Sequence, residues 1–136
     1  MNKELKTHFI EGIEFVKILQ EPALFKYNIY QTDIKAKLRH YQEEGIRWMA
    51  FLTKYNLNGA LCDDMGLGKT LQTLVVIQNE VNQNEKVYSA NKLVLIICPN
   101  TLKYHWQAEI KKFMDPKILR CRIIQSKKDF VNVKQN

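Results

Sequence analysis

Across the 136 residues of this chain no apolar run approaches the length needed to cross a bilayer, which takes about 18 consecutive residues. The start, Met1-Asn-Lys-Glu-Leu-Lys6, is polar and carries lysine, so it lacks the apolar stretch of a secretory signal, and an intracellular protein with no membrane partner is expected. Cysteine is scarce. Cys62, Cys98 and Cys121 are odd in number, with no Cys-x-x-Cys spacing and no nearby histidine pattern. That excludes a recognisable zinc site and leaves reduced, buried core thiols as the expectation. His8, His40 and His105 are scattered and receive no catalytic role, and no internal repeat is present. Acidic residues are in deficit: 14 Asp and Glu face 21 Lys and Arg, a net charge of +7. This balance biases the chain toward polyanions such as nucleic acid, although a lysine-rich solvated surface accounts for it equally well.

What is present is ordinary in bulk and specific in detail. The length suits about one domain, and 46% hydrophobic with 26% charged residues is the composition of a globular protein. Leu5, Phe9, Ile13, Val16 and Leu19 recur at spacings of three and four, which predicts an amphipathic helix over residues 4–20 that Pro22 ends. Residues 23–35 read as an extended linker, and a domain begins near Thr32. Leu38, Tyr41, Ile46, Trp48, Met49 and Leu52, set against charged positions, predict a long helix over 37–55. Gly45 in its middle costs about 1 kcal/mol relative to alanine, so a close packing partner is expected there.

The stretch Asn58-Gly-Ala-Leu-Cys-Asp-Asp-Met-Gly-Leu-Gly-Lys-Thr70 reads as a short buried strand running through a glycine-rich turn into a helix over 69–82, whose stripe starts at Leu71, Leu74, Val75 and Ile77. This is the layout of a nucleotide phosphate cradle. Gly66 and Gly68 let successive N–H groups face the phosphates. Lys69 offers a charge to the β- and γ-phosphates of a bound nucleotide such as ATP, and Thr70 a hydroxyl to Mg²⁺. A strict phosphate loop has glycine five residues before Gly68, where this chain has Asp63. Residues 82–91 read as a polar surface loop, and Lys92-Leu-Val-Leu-Ile-Ile-Cys98 as a parallel strand covered on both faces and stopped by Pro99. Leu102, Trp106, Ile110 and Phe113 predict a third helix capped by Asn100 or Thr101, with Trp106 in the core, followed by a strand over 118–124. Strand, helix, strand, helix, strand predicts an α/β fold with one parallel sheet flanked by helices.

The order Leu38-Arg-His-Tyr-Gln-Glu-Glu-Gly-Ile-Arg-Trp48, Cys62-Asp-Asp-Met-Gly-Leu-Gly-Lys-Thr70 and Ile97-Cys-Pro-Asn-Thr-Leu-Lys-Tyr-His-Trp106 resembles the Swi/Snf-type ATPases of helicase superfamily two. In that family an aspartate opens the loop, which accounts for Asp63. The likeness covers roughly residues 25–125, and around Trp48 to Asp64 it is strongest to the branch that removes TATA-binding protein from promoter DNA. It implies a partial RecA-like lobe over 32–126, preceded by a helix and linker over 1–31 and followed by a tail over 127–136. It also implies a nuclear motor that uses ATP and Mg²⁺ to translocate on duplex DNA. Gln42 becomes the reader of adenine, Arg39 and Tyr41 shape its pocket, and Asp64, Met65, Gly66, Leu67, Gly68, Lys69 and Thr70 form the cradle. Asn100 and Thr101 match the motif that touches DNA phosphates.

The acidic Asp-Glu-x-His motif of that family, which holds magnesium and orients water, has no match, since the chain contains no Asp-Glu dipeptide. Asp63 and Asp64 cannot replace it. A second lobe with its arginine finger is also missing from this sequence, so little or no turnover is expected of this polypeptide alone. The alternative reading is a short protein that binds nucleotide or a partner without hydrolysis.

Overall fold

The computed structural model describes residues 3–29, 34–84, 93–117, 119–126 and 129. Four helices carry the architecture: α1 (Lys3–Gln20), α2 (His40–Lys54), α3 (Lys69–Asn84) and α4 (Lys103–Phe113). α3 is central, with α2 and α4 each packed on it and not on each other. Its position explains its burial. Leu71, Gln72, Leu74, Val75, Val76, Gln78 and Asn79 are all buried, so α3 is covered well beyond a single stripe. Ile46 of α2 and Met114 after α4 close on the same cluster, together with Ile34 and Leu38 from the segment that leads into α2.

Local signals set the boundaries. α1 stops where Pro22 cannot continue it, and Pro22–Leu24 form a single 3₁₀ turn. α2 ends with the Leu57 N–H donating to the Leu52 carbonyl at 2.8 Å and the Asn56 N–H to the Thr53 carbonyl at 3.2 Å. Asn56 takes the left-handed conformation (φ 52°) that this paired closure requires. Gly59 then lies against Trp48 and Leu52, so the chain doubles back along α2 where no Cβ is in the way. Farther along, Ile34 bridges Met114 in antiparallel fashion and the Lys35 N–H donates to the Phe113 carbonyl at 3.0 Å. That contact pins the start of the core to its end.

The expected α/β fold with a parallel sheet is not what forms: among the described residues there is no strand or sheet beyond that single bridge. Residues 58–64, 93–99 and 119–125 are neither helical nor paired. The apolar run at 93–97 is largely exposed, with Leu93 at 71% and Ile97 at 88%. A helix closes its hydrogen bonds within itself, whereas a parallel strand must take them from a neighbour across a crossover of about a dozen residues or more. The helices therefore form and bury their stripes on one another, while the candidate strands have no ladder.

Other expectations are corrected too. Cys62 and Cys121 are exposed and Cys98 is half-buried, because all three sit on the unpaired segments. On α1, Ile13, Val16 and Leu19 face outward, and Phe15 and Ile18 turn inward instead. Phe15 stacks on Phe51 at 5.7 Å between ring centroids and meets Tyr55 edge-on at 4.9 Å. The Lys54 ammonium reaches Glu14 at 2.8 Å, so α1 rides on the far end of α2. Past Asn84, the expected loop lies outside the described residues, as do Ile118, the side chains of Leu5 and Phe9, and the tail from 130. No helix among the described residues is long and apolar enough to cross a membrane.

Candidate functional site

The glycine-rich turn and the start of α2 come together. Gly66 and Gly68 both take positive φ, 88° and 78°, which side-chain-bearing residues rarely adopt. The turn delivers Lys69 and Thr70 into the first turn of α3. Backbone N–H groups at a helix start carry partial positive charge, and α3 has no acidic residue in its first turn to balance it. Adding the Lys69 ammonium concentrates positive charge at this point. The chain compensates with carbonyls: Lys69 Nζ donates to the Asp63 oxygen at 2.7 Å and the Asp64 oxygen at 2.9 Å.

Gln42 joins α2 to this turn. It is buried, its Oε1 accepts the Arg39 N–H at 2.9 Å, and its Nε2 donates to the Leu67 carbonyl at 3.2 Å. The first bond is the reach-back of an amide at the third helical position to the residue that opens the helix. The second crosses to the turn, where Tyr41 also donates to the Leu67 carbonyl at 3.4 Å. A side-chain amide that donates and accepts at once is the group needed to read a base edge, and here both halves are engaged within the chain.

Of the residues singled out from sequence, Arg39, Tyr41, Gln42 and Leu67 are thus joined, with Gly68 lying against the Gln42 amide. Asp63, Asp64 and Lys69 form a second group. Met65 is almost wholly exposed at the tip, at 98%, beside exposed Gly66. Thr70 is half-buried. Asn100 and Thr101 are exposed on a separate 3₁₀ turn, Asn100–Leu102, and neither caps α4 with its side chain. The reason is geometric: that turn intervenes, so α4 starts at Lys103 behind Leu102. Trp106 does pack against the core, as do Ile110 and Phe113.

One residue was not visible to sequence reasoning. Gln72, fully buried on α3, donates from Nε2 to Asp63 Oδ2 at 3.3 Å, and its Oε1 occupies the place a Cβ on Gly45 would take. The glycine in mid-helix was the legible half of that contact. A glutamine inside the apolar run 71–77 was the other signal.

Residues 41–136 match the model of the SNF2-related domain, and the chain belongs to that family of Swi/Snf-type, helicase-like proteins. Similar relatives include TATA-binding protein-associated factor 172 of Homo sapiens, 41% identical over 118 residues, covering 82% of this chain and 6% of that protein. TATA-binding protein-associated factor MOT1 of Saccharomyces cerevisiae is 41% identical over 107 residues, covering 74% of this chain and 6% of that protein. TATA-binding protein-associated factor BTAF1 of Arabidopsis thaliana is 34% identical over 140 residues, covering 99% of this chain and 7% of that protein. The chain therefore spans only 6% or 7% of the length of these relatives.

Proposed function

We propose that this chain binds ATP with Mg²⁺ as the nucleotide-holding part of a DNA-dependent motor. The observation that carries the reading is the turn itself: two glycines with positive φ lead into a helix whose first residue is Lys69, and the Gln42 amide donates to the Leu67 carbonyl between those glycines. Lys69 and the backbone N–H groups of the turn bind the phosphates, and Thr70 contributes its hydroxyl to Mg²⁺. Gln42 pairs with the adenine edge while Arg39 and Tyr41 bound that pocket. Among the described residues no group of three or more acidic, histidine or cysteine side chains is placed to hold a metal ion.

The larger activity is that of translocation on duplex DNA to remodel or remove a bound protein in the nucleus, with Asn100 and Thr101 contacting DNA phosphates. The names of its relatives, TATA-binding protein-associated factors, favour TATA-binding protein as the partner. Turnover requires groups beyond those in this sequence, so the chain by itself binds without hydrolysing. Equilibrium titration with ATP and GTP tests the reading. ATP preference that is lost in Gln42→Ala, with the affinity for both nucleotides weakened by Lys69→Ala, supports it, and a preference for GTP sinks it.

A further inference from the structure

We infer that Gln72 is a positioning residue, holding the Asp63 turn so that Lys69 presents one free N–H donor to an anion. The inference rests on the nucleotide-binding reading above for its biological meaning, but its geometry stands apart from any ligand. An ammonium has three donors. Two of those on Lys69 are taken by the Asp63 and Asp64 carbonyls at 2.7 and 2.9 Å, so the direction of the third depends on where that stretch of backbone sits. Asp63 is in turn held through its carboxylate by Gln72 Nε2 at 3.3 Å.

The other end of Gln72 fixes it from behind. Its Oε1 lies against the face of α2 that Gly45 leaves open, and it has no hydrogen-bond partner there. Gly45 stands one turn after Gln42, so the same helix that carries the amide at the turn also seats the group that steadies Lys69. Only an uncharged, long, hydrogen-bonding side chain meets these demands. A carboxylate at 72 would face the Asp63 carboxylate while wholly buried, and an aliphatic residue would give Asp63 no donor. Gly45, Gln72, Asp63 and Lys69 are thus one chain of contacts linking α2 to the ammonium.

The test compares the 136-residue chain with Gln72→Met and Asp63→Ala. The second variant alters the turn and leaves the interface between α2 and α3 as it is. In the absence of nucleotide, acetylation of Lys69 by an amine-reactive reagent, read by mass spectrometry, is expected to run about fivefold faster in each variant, the factor for losing one ordinary hydrogen bond. The ratio of ATP to adenosine affinity is expected to fall by about the same factor while adenosine binding holds. Combining the two substitutions adds nothing to Asp63→Ala alone, because Gln72 acts through Asp63. Unchanged Lys69 labelling in both variants overturns the inference, as does a Gln72→Met effect that adds to that of Asp63→Ala. If the unaltered chain binds ATP no more tightly than adenosine, the nucleotide reading fails, and the labelling rates still decide the role of Gln72.

Discussion

Gly45→Ala is the substitution on which the packing account stands or falls. In an open helix it is favourable, since alanine is preferred over glycine by about 1 kcal/mol. Here the new methyl group would land on Gln72 Oε1. Gln72 is fully buried, so its amide cannot swing into water. α3 has to shift from α2, and Gln72 has to rotate and give up its bond to Asp63. Overfilling a packed interior costs roughly 1–3 kcal/mol, and a lost internal hydrogen bond about 1 kcal/mol more. Subtracting the helix-propensity gain leaves a net loss of about 1–3 kcal/mol. Urea unfolding followed by far-ultraviolet circular dichroism should then show the midpoint falling by about 1 M, a loss of about 2 kcal/mol over a slope of about 2 kcal/mol per M. Gly12→Ala supplies the control, because nothing lies near a Cβ at that position on α1, and it is expected to raise stability by up to about 1 kcal/mol. Shortening Gln72 to alanine in the Gly45→Ala background removes the clash and should recover part of the loss. A Gly45→Ala chain as stable as the parent, or stabilised like Gly12→Ala, would refute the reasoning.

Four other substitutions and one titration probe the rest of the molecule. Met114→Ala empties a fully buried position between α4 and the Ile34 bridge and should cost about 2–5 kcal/mol in thermal or urea unfolding, whereas a loss below 1 kcal/mol would deny Met114 its place in the core. Phe15→Ala removes the ring that meets both Phe51 and Tyr55 and should expose α1 to limited proteolysis well before the core is cut, while Lys54→Met, which breaks an exposed ion pair with Glu14 and lifts the ammonium off the Phe25 and Tyr55 rings, should cost only about 1 kcal/mol. Asp129 is held below the ordinary carboxylate range by the backbone N–H groups of Gln125 and Ser126 and then by the Ser126 hydroxyl. Its depressed folded value means that the contacts of Asp129 with Gln125 and Ser126 are fully supported above about pH 5 and lose that support as pH falls through the ordinary value and below. Carbon NMR titration of Asp129 should show this low midpoint, and Ser126→Ala should move it upward.

The helices were legible because their hydrogen bonds are local and their apolar spacing is regular, and α2, α3 and α4 lie within a few residues of where periodicity puts them. The sheet was misread because a run such as Leu93 to Ile97 announces apolar character without naming the strand that would pair with it. α1 shows the same gap on a smaller scale. Ile13, Val16 and Leu19 make the better stripe on paper, but Phe15 has aromatic partners waiting on α2, and which face turns inward is decided by the partner. The tight turn was legible in Gly66 and Gly68 because backbone sterics are written in the residue types. Asn100 and Thr101 misled because a hydroxyl or amide near a helix start signals a cap, while the 3₁₀ turn that displaced it has no comparable signature. Gln72 escaped notice because a lone glutamine in an apolar run does not say what it reaches, and Gly45, 27 positions earlier, gave only the other half of the contact.

The two halves of the candidate site differ in what a nucleotide has to displace. Gln42 uses both ends of its amide within the chain, so pairing with a base means exchanging two existing bonds for two new ones, a substitution with little net gain. Lys69 keeps a third donor beyond its two carbonyl bonds, and the glycine turn adds backbone N–H groups, so a phosphate is gained without an equal loss. On the proposed function, the phosphates therefore carry the affinity and the base carries the discrimination. Gln42→Glu separates these roles better than truncation to alanine. Glutamate keeps the oxygen that accepts the Arg39 N–H and preserves the start of α2, but it brings no donor to the Leu67 carbonyl or to the base. The expected result is a chain that still binds ATP in preference to adenosine but no longer distinguishes ATP from GTP, read by equilibrium titration with the three ligands. Retained discrimination would mean that the base is read elsewhere and that Gln42 serves only to tie α2 to the turn.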